Sequence, residues 1–227
     1  MQGYRWRRVL IVLMCVVLFG VSAWGAKEHV IGFGKWTSVQ WDADSNRAPR
    51  TQKVRPLLVD ARMKEYVLGA TYEVTDRLFV VRRVLRVNDS LPEDPAPRWK
   101  WQRGGWLLVD RVSGRIAPMN LPEFDTYYSA ASWYRDYVAY CGVSDDGKKI
   151  YAVVAQIGRR KPVMKKLLAN DGLAEDAEPD SACPAPVWQR GPARVSFAAA
   201  GGAKETFAVR GHVVDVVNDA EEEEGSK

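Results

Sequence analysis

Histidine and cysteine are scarce in this chain, and their scarcity removes whole classes of chemistry. Of 227 residues, two are histidine and three are cysteine. Neither His29 nor His212 stands at ligand spacing from another histidine, a cysteine or an acidic run, so no metal site is expected. A lone histidine alternating within an apolar strand, as His212 does, is normally a packed or surface residue rather than a base. The Gly-x-Ser-x-Gly, His-Glu-x-x-His, phosphate-loop and dinucleotide fingerprints are all missing. No catalytic residue and no cofactor is assigned on these grounds. Helical periodicity is missing too, which removes bundles and α/β folds from consideration.

A strong charge of one sign is also lacking once the N-terminus is read for what it is. Arg5, Arg7 and Arg8 precede the apolar run VLIVLMCVVLFGV (9–21), and small residues follow at Ser22, Ala23, Gly25 and Ala26. That order predicts a bacterial-type secretory signal over 1–25. Uncleaved, residues 9–26 would instead anchor the chain in the membrane, near the lower limit of about 20 residues for a span. Both readings place the rest of the chain outside the cytoplasm, periplasmic or extracellular. The chain has 33 Lys and Arg against 28 Asp and Glu, and losing Arg5, Arg7 and Arg8 leaves 30 against 28. Nucleic-acid binding, which needs a dense positive face, loses its main support.

Cys15 lies inside the apolar run behind Met14, where a lipobox would need a small residue, so lipidation is rejected. The two remaining cysteines, Cys141 and Cys183, are expected to pair in an oxidising compartment.

What the chain does have is β-strand. Short runs rich in Val, Tyr, Trp, Phe and Ile alternate with Gly, Pro, Asp and Asn. Strands are expected near residues 36–42, 54–60, 63–68, 78–87, 98–102 and 106–112. Others are expected near 137–143, 149–157, 193–199, 205–210 and 212–217. Turns at Gly114, Gly147 and Gly201-Gly202 link neighbours, so the economical topology is a run of antiparallel meanders. Residues 27–218 form one all-β domain. Polar loops interrupt it at 42–52 and 88–97, and a long acidic excursion at 169–186 reads as flexible or as a sub-domain boundary. The tail at 219–227 lacks apolar residues and is expected to be disordered.

YVAYCGVSDDGKKIYAVV, with Ser144, Asp146, Gly147 and Lys148 at its turn, resembles the inner hairpin of WD-type and Tol-type β-propeller repeats. GGWLLVDRVSGRIAPMNL (104–121), with Asp110 and Gly114 marking the turn, resembles the outer hairpin of a preceding blade. The resemblance implies an irregular or partial β-propeller-like arrangement; a β-sandwich built from the same meanders is the alternative. The chain as a whole also resembles exported bacterial proteins, a likeness that brings no activity with it. Within the hairpin, Tyr151, Val153 and Ala155 should share one face, and Ile150, Ala152 and Val154 the other. Both faces are apolar, so the hairpin should lie between sheets, with Gly147 at positive φ.

Aromatic residues carry the strongest functional signal. Trp99 and Trp101 share a strand face with Trp106 close behind, and the stretch 124–140 holds Phe124, Tyr127, Tyr128, Trp133, Tyr134, Tyr137 and Tyr140. One reading is a platform that stacks sugar rings or a peptide, with Trp99, Trp101, Trp133 and Tyr134 as surfaces and Arg103, Arg135 and Asp136 as polar handles. The other is a core between sheets, the commoner use of aromatics in β proteins. Asp110, Asp136, Asp145 and Asp146 are the carboxylates available for a glycosidase pair, although a turn explains Asp145 and Asp146 equally well. The basic run at 158–166 is expected to be an exposed strand edge, screened by the acidic stretch 171–180. The expectation is therefore an exported, non-catalytic binding or structural domain whose partner is a protein or glycan. The alternative is a carbohydrate-active hydrolase.

Overall fold

The computed structural model describes residues 29–41, 50–174, 177–198, 204–211 and 213–216, the last of these as backbone. The expected leader or anchor, residues 42–49, the Gly201-Gly202 turn, His212 and the acidic tail lie outside the described residues.

Every regular element among the described residues is a strand. They are β1 (Ile31–Phe33), β2 (Thr37–Trp41), β3 (Arg50–Val59), β4 (Arg62–Glu73), β5 (Leu78–Asn88), β6 (Trp99–Asp110), β7 (Ile116–Pro118) and β8 (Ala131–Tyr134). They continue with β9 (Tyr137–Val143), β10 (Ile150–Gln156), β11 (Met164–Ala169), β12 (Val187–Arg190), β13 (Ala193–Phe197), β14 (Glu205–Arg210) and β15 (Val213–Val216). The fold is all-β and dominated by antiparallel meanders, as the residue pattern predicts.

Three sheets result. β8 to β11 form one four-stranded meander and β12 to β15 a second, each paired strictly with its sequence neighbour. The first sheet is different. β1 and β2 both pair with β3, and β3–β4, β4–β5 and β5–β6 follow as hairpins. A single parallel bridge, Trp41 to Trp101, then joins β2 to β6 and closes the circuit of pairings. β7 extends the far half of β6.

The hairpin of β9 and β10 behaves as its sequence says. Ile150 pairs with Val143 across the turn, and Gly147 sits there at φ 70°. Ser144, Asp146 and the amides of Lys148 and Lys149 close the turn with hydrogen bonds of 2.6–3.1 Å. Ile150, Ala152 and Val154 face the third sheet, packing with Val195, Phe197, Phe207 and Val209. Val153, Ala155 and the partly buried Tyr151 face the other way, with Val138, Tyr140, Leu121 and Phe124. All seven residues of β9 are buried, so the hairpin is core on both sides. Each large apolar side chain buried there contributes about 1.5–3 kcal/mol.

The excursion after β11 is tied down. Cys141, mid-β9, is bonded to Cys183 with a Cα–Cα distance of 6.0 Å. The Asp180 and Ala182 amides donate to the carbonyls of Tyr127 and Tyr128 at 2.8 and 3.1 Å. Such a pairing suits an oxidising environment. β11 is the edge of the second sheet and carries Lys165 and Lys166. Their carboxylate partners are Glu123 at 2.6 Å and Glu205 at 2.7 Å.

Candidate functional site

Register fixes which side chains share a face of the first sheet. Residues opposite one another in an antiparallel pair point to the same side, and alternate residues follow. Arg86 opposes Trp101, Val84 opposes Arg103 and Arg82 opposes Trp106. One face therefore carries Trp99, Trp101, Arg103 and Trp106 from β6 beside Arg82, Val84 and Arg86 from β5. Tyr66, Leu68 and Tyr72 of β4 join it, because they oppose Val84, Arg82 and Val80.

Two irregularities flank Arg82. Between the Arg82–Trp106 and Val84–Arg103 pairs, β6 advances by three residues where β5 advances by two, which makes a bulge at Gly104-Gly105. On the other side, β4 runs from Leu68 to Tyr72 against only Arg82 to Val80 of β5. Gly69 takes φ 71° there, a conformation that L side chains rarely adopt. Bulges re-aim side chains and break the ladder. Here they open a pocket of about 250 Å³ lined by Leu68, Gly69, Ala70, Arg82, Arg103, Trp106, Ala130, Ala131 and Asp180.

Arg82 is the pocket's anchor, with only 6% of its surface exposed. Its Nε donates to the Gly104 carbonyl, freed by the bulge, at 2.9 Å. Its Nη2 donates to the Thr126 carbonyl at 2.6 Å and its Nη1, more weakly, to Ser129 at 3.5 Å. The rings of Phe124 and Trp106 lie 4.9 and 5.7 Å from the guanidinium. Every hydrogen-bond acceptor named is a neutral carbonyl, so the charge is solvated without being neutralised by contact. Burial, with like-charge repulsion from Arg103 added, lowers the guanidinium to about 10.

Arg103 donates to Asp180 at 2.6 Å and lies over the Trp41 ring at 5.2 Å. Its Nε, the Trp106 Nε1 and the neighbouring Trp133 Nε1 are buried without a hydrogen-bond partner. A buried donor left unpaired costs about 1–3 kcal/mol, so three around one place are unusual. Trp133 packs edge-on against Trp106 at 5.1 Å and stacks on Tyr72 at 5.9 Å.

The expected aromatic platform is therefore split. Trp99, Trp101 and Arg103 lie in line along β6, Trp99 being 49% exposed and capped by Arg86 at 4.8 Å. Trp101 meets Tyr66 edge-on at 5.0 Å. Trp133 reaches the inner end of this line from β8. Tyr134 points to the third sheet instead, stacked on Trp188 at 5.3 Å. Arg135 is exposed over Tyr134 at 5.3 Å, and Asp136 accepts from Gln156 Nε2 at 2.7 Å.

The remaining candidates are held by local structure. Arg77 grips Asp110 through two hydrogen bonds of 2.8 and 2.5 Å, and the Val112 and Ser113 amides also donate to it. These contacts, Arg77 first, hold its carboxyl well below the usual range. Asp146 is depressed likewise by Ser144 and the Lys148 amide. His29 Nδ1 lies 2.8 Å from Asp60 Oδ2. A second cavity of about 260 Å³, between β7 and the end of β10, contains none of the four candidate aspartates, and neither does the first. Among the described residues no cluster of His, Cys, Asp and Glu could hold a metal ion.

Sequence reading missed Arg82. Its signal was present: an Arg-Arg pair inside LFVVRRVLRV, where a strand otherwise apolar on both faces must bury at least one of the two. No known protein family, curated protein or solved structure matches the chain.

Proposed function

We propose that the protein is an exported, non-catalytic binding domain that meets a glycan through the aromatic and arginine face of β5 and β6. The observation that carries this reading is the line Trp99, Trp101, Arg103, Trp106. It runs from an exposed indole at one end to a pocket with unpaired donors at the other. Flat indole faces suit the C–H faces of pyranose rings, and interleaved guanidinium groups suit their hydroxyls. Export is supported by the leader sequence and by the Cys141–Cys183 pair.

The hydrolase alternative has less to draw on. A glycosidase needs two carboxyl groups about 5–9.5 Å apart across an open cleft. Asp110 and Asp146 are occupied as turn and ion-pair groups, Asp136 is bonded to Gln156, and Asp145 lies exposed in a turn. The test is a glycan-array screen of the wild-type chain, followed by calorimetry on the hits with Trp99→Ala. Binding without turnover, weakened tenfold or more by the substitution, supports the proposal. Hydrolysis of a bound glycan, or binding indifferent to Trp99, overturns it.

A further inference from the structure

We infer that the pocket at Arg82, Arg103 and Trp106 is a subsite for the carboxylate of an acidic sugar, a uronic acid residue of the bound glycan. The inference rests on the glycan-binding reading and specifies its ligand. Three facts select a carboxylate. First, Arg103 and Trp106 both line the pocket, each carries a buried donor without an acceptor (Nε and Nε1), and a carboxylate supplies two acceptor oxygens. Second, Arg82 and Arg103 bring two positive charges, and Asp180 cancels one of them. The remaining single charge matches a monoanion, whereas a dianionic phosphate would face the Asp180 carboxylate with charge in excess.

Third, Arg82 is pre-organised. Its guanidinium is fixed by the carbonyls of Gly104, Thr126 and Ser129, so its field is in place before any ligand arrives. Two features favour a sugar over a peptide as the source of the carboxylate. The cavity, about 250 Å³, is smaller than the ~300–1,000 Å³ typical of larger ligands, and so holds a single ring. The approach to it along β6 carries the half-exposed Trp99 and the partly buried Trp101, side chains suited to a sugar ring.

Asp180 acts in this scheme as an internal competitor. Its carboxylate holds Arg103 Nη1 at 2.6 Å and is 39% exposed, so it stays beside the ligand anion and repels it. The experiment is calorimetric titration of the full chain with an oligogalacturonide, its fully methyl-esterified form and an acidic peptide of equal charge. The free acid should bind at least tenfold more tightly than the ester. Arg103→Gln should weaken the free acid far more than the ester and bring the two to within twofold. Asp180→Asn should strengthen acid binding several-fold, and it serves as the second variant should Arg103→Gln fail to fold.

Equal affinity for acid and ester in the wild type overturns the inference and leaves the glycan-binding reading standing. Acidic-peptide binding as tight as that of the oligogalacturonide overturns the sugar assignment. Absence of binding to any saccharide overturns both.

Discussion

Arg103 Nη1 lies 2.6 Å from Asp180 Oδ2, a contact between residues 77 apart in the chain. Asp180 is three residues from Cys183, which is bonded to Cys141 in the buried centre of β9. The Asp180 amide donates to Tyr127, and the Ser129 hydroxyl donates to the Cys141 carbonyl at 2.6 Å. The loops that wall the pocket are thus fastened to a strand buried along its whole length, and the disulfide is the covalent part of that fastening.

Replacing Cys141 and Cys183 by serine should therefore do two things. Stability should fall by about 4 kcal/mol in the chain-entropy account of a cross-link spanning 42 residues, read as a lower thermal midpoint. Hydrogen exchange should rise at the Asp180 and Ala182 amides more than at Val153 or Val154. Peptide mapping of protein isolated without reductant that found both thiols free would remove the bridge from the account.

Gly147→Val isolates a backbone effect. A Cβ built at Gly147 meets nothing within 4 Å, so any loss comes from forcing a β-branched residue to φ 70°. The expected loss is about 1–3 kcal/mol, measured by denaturant unfolding. An unchanged midpoint would show that the turn relaxes at no cost.

Arg82→Lys should be at least as damaging as Arg82→Ala. An ammonium cannot reach three carbonyls set around a planar fork, and a charge buried with unmet donors is worse than none. Losses of about 2–4 kcal/mol are expected for both, again by denaturant unfolding. Full rescue by lysine would show that charge alone, rather than the fork, holds the loop from 124 to 130.

Acid should destabilise the fold through its depressed carboxyls. The pKa values of Asp110, Glu73 and Asp89 are lowered in the folded state, chiefly by hydrogen bonds from Arg77, Arg111 and Lys100 respectively. A carboxyl with a lowered folded pKa stabilises fully above its unfolded value, about 4, and loses that contribution as pH falls through the folded value. The thermal midpoint should drop below about pH 4, and Asp110→Asn should flatten that drop while lowering the midpoint at neutral pH. At the alkaline end the sign reverses for Tyr140. Burial raises its pKa, so the stability it lends is present below about pH 10 and fades above it.

How much of this was legible in the sequence divides by range. The β9–β10 hairpin, its two apolar faces, the Gly147 turn and the cysteine pairing were readable, because alternation and turn chemistry act within a few residues. The short strands β1, β8, β11 and β12 were not, since each gains its order from a partner and not from its own propensity. The bulges around Arg82 were also invisible: they exist only as a mismatch of register between β4, β5 and β6. The acceptors of Arg82, at 104, 126 and 129, come from separate stretches of chain that no local pattern connects. Trp99, Trp101 and Arg103 were legible as one strand face. That Tyr134 looks toward the third sheet, away from that line, depended on which side β8 presents to β12, and Asp136 turns instead to Gln156 of β10.

The most direct test of the central claim, that a glycan lies along β6, is a two-dimensional NMR titration of the indole N–H resonances with an acidic oligosaccharide. The resonances of Trp99, Trp101 and Trp106 should shift together and saturably. That of Trp188, whose Nε1 already donates to the Ser132 carbonyl at 3.1 Å on the third sheet, should stay in place. Shifts confined to Trp188, or none at any indole up to millimolar ligand, would contradict the account.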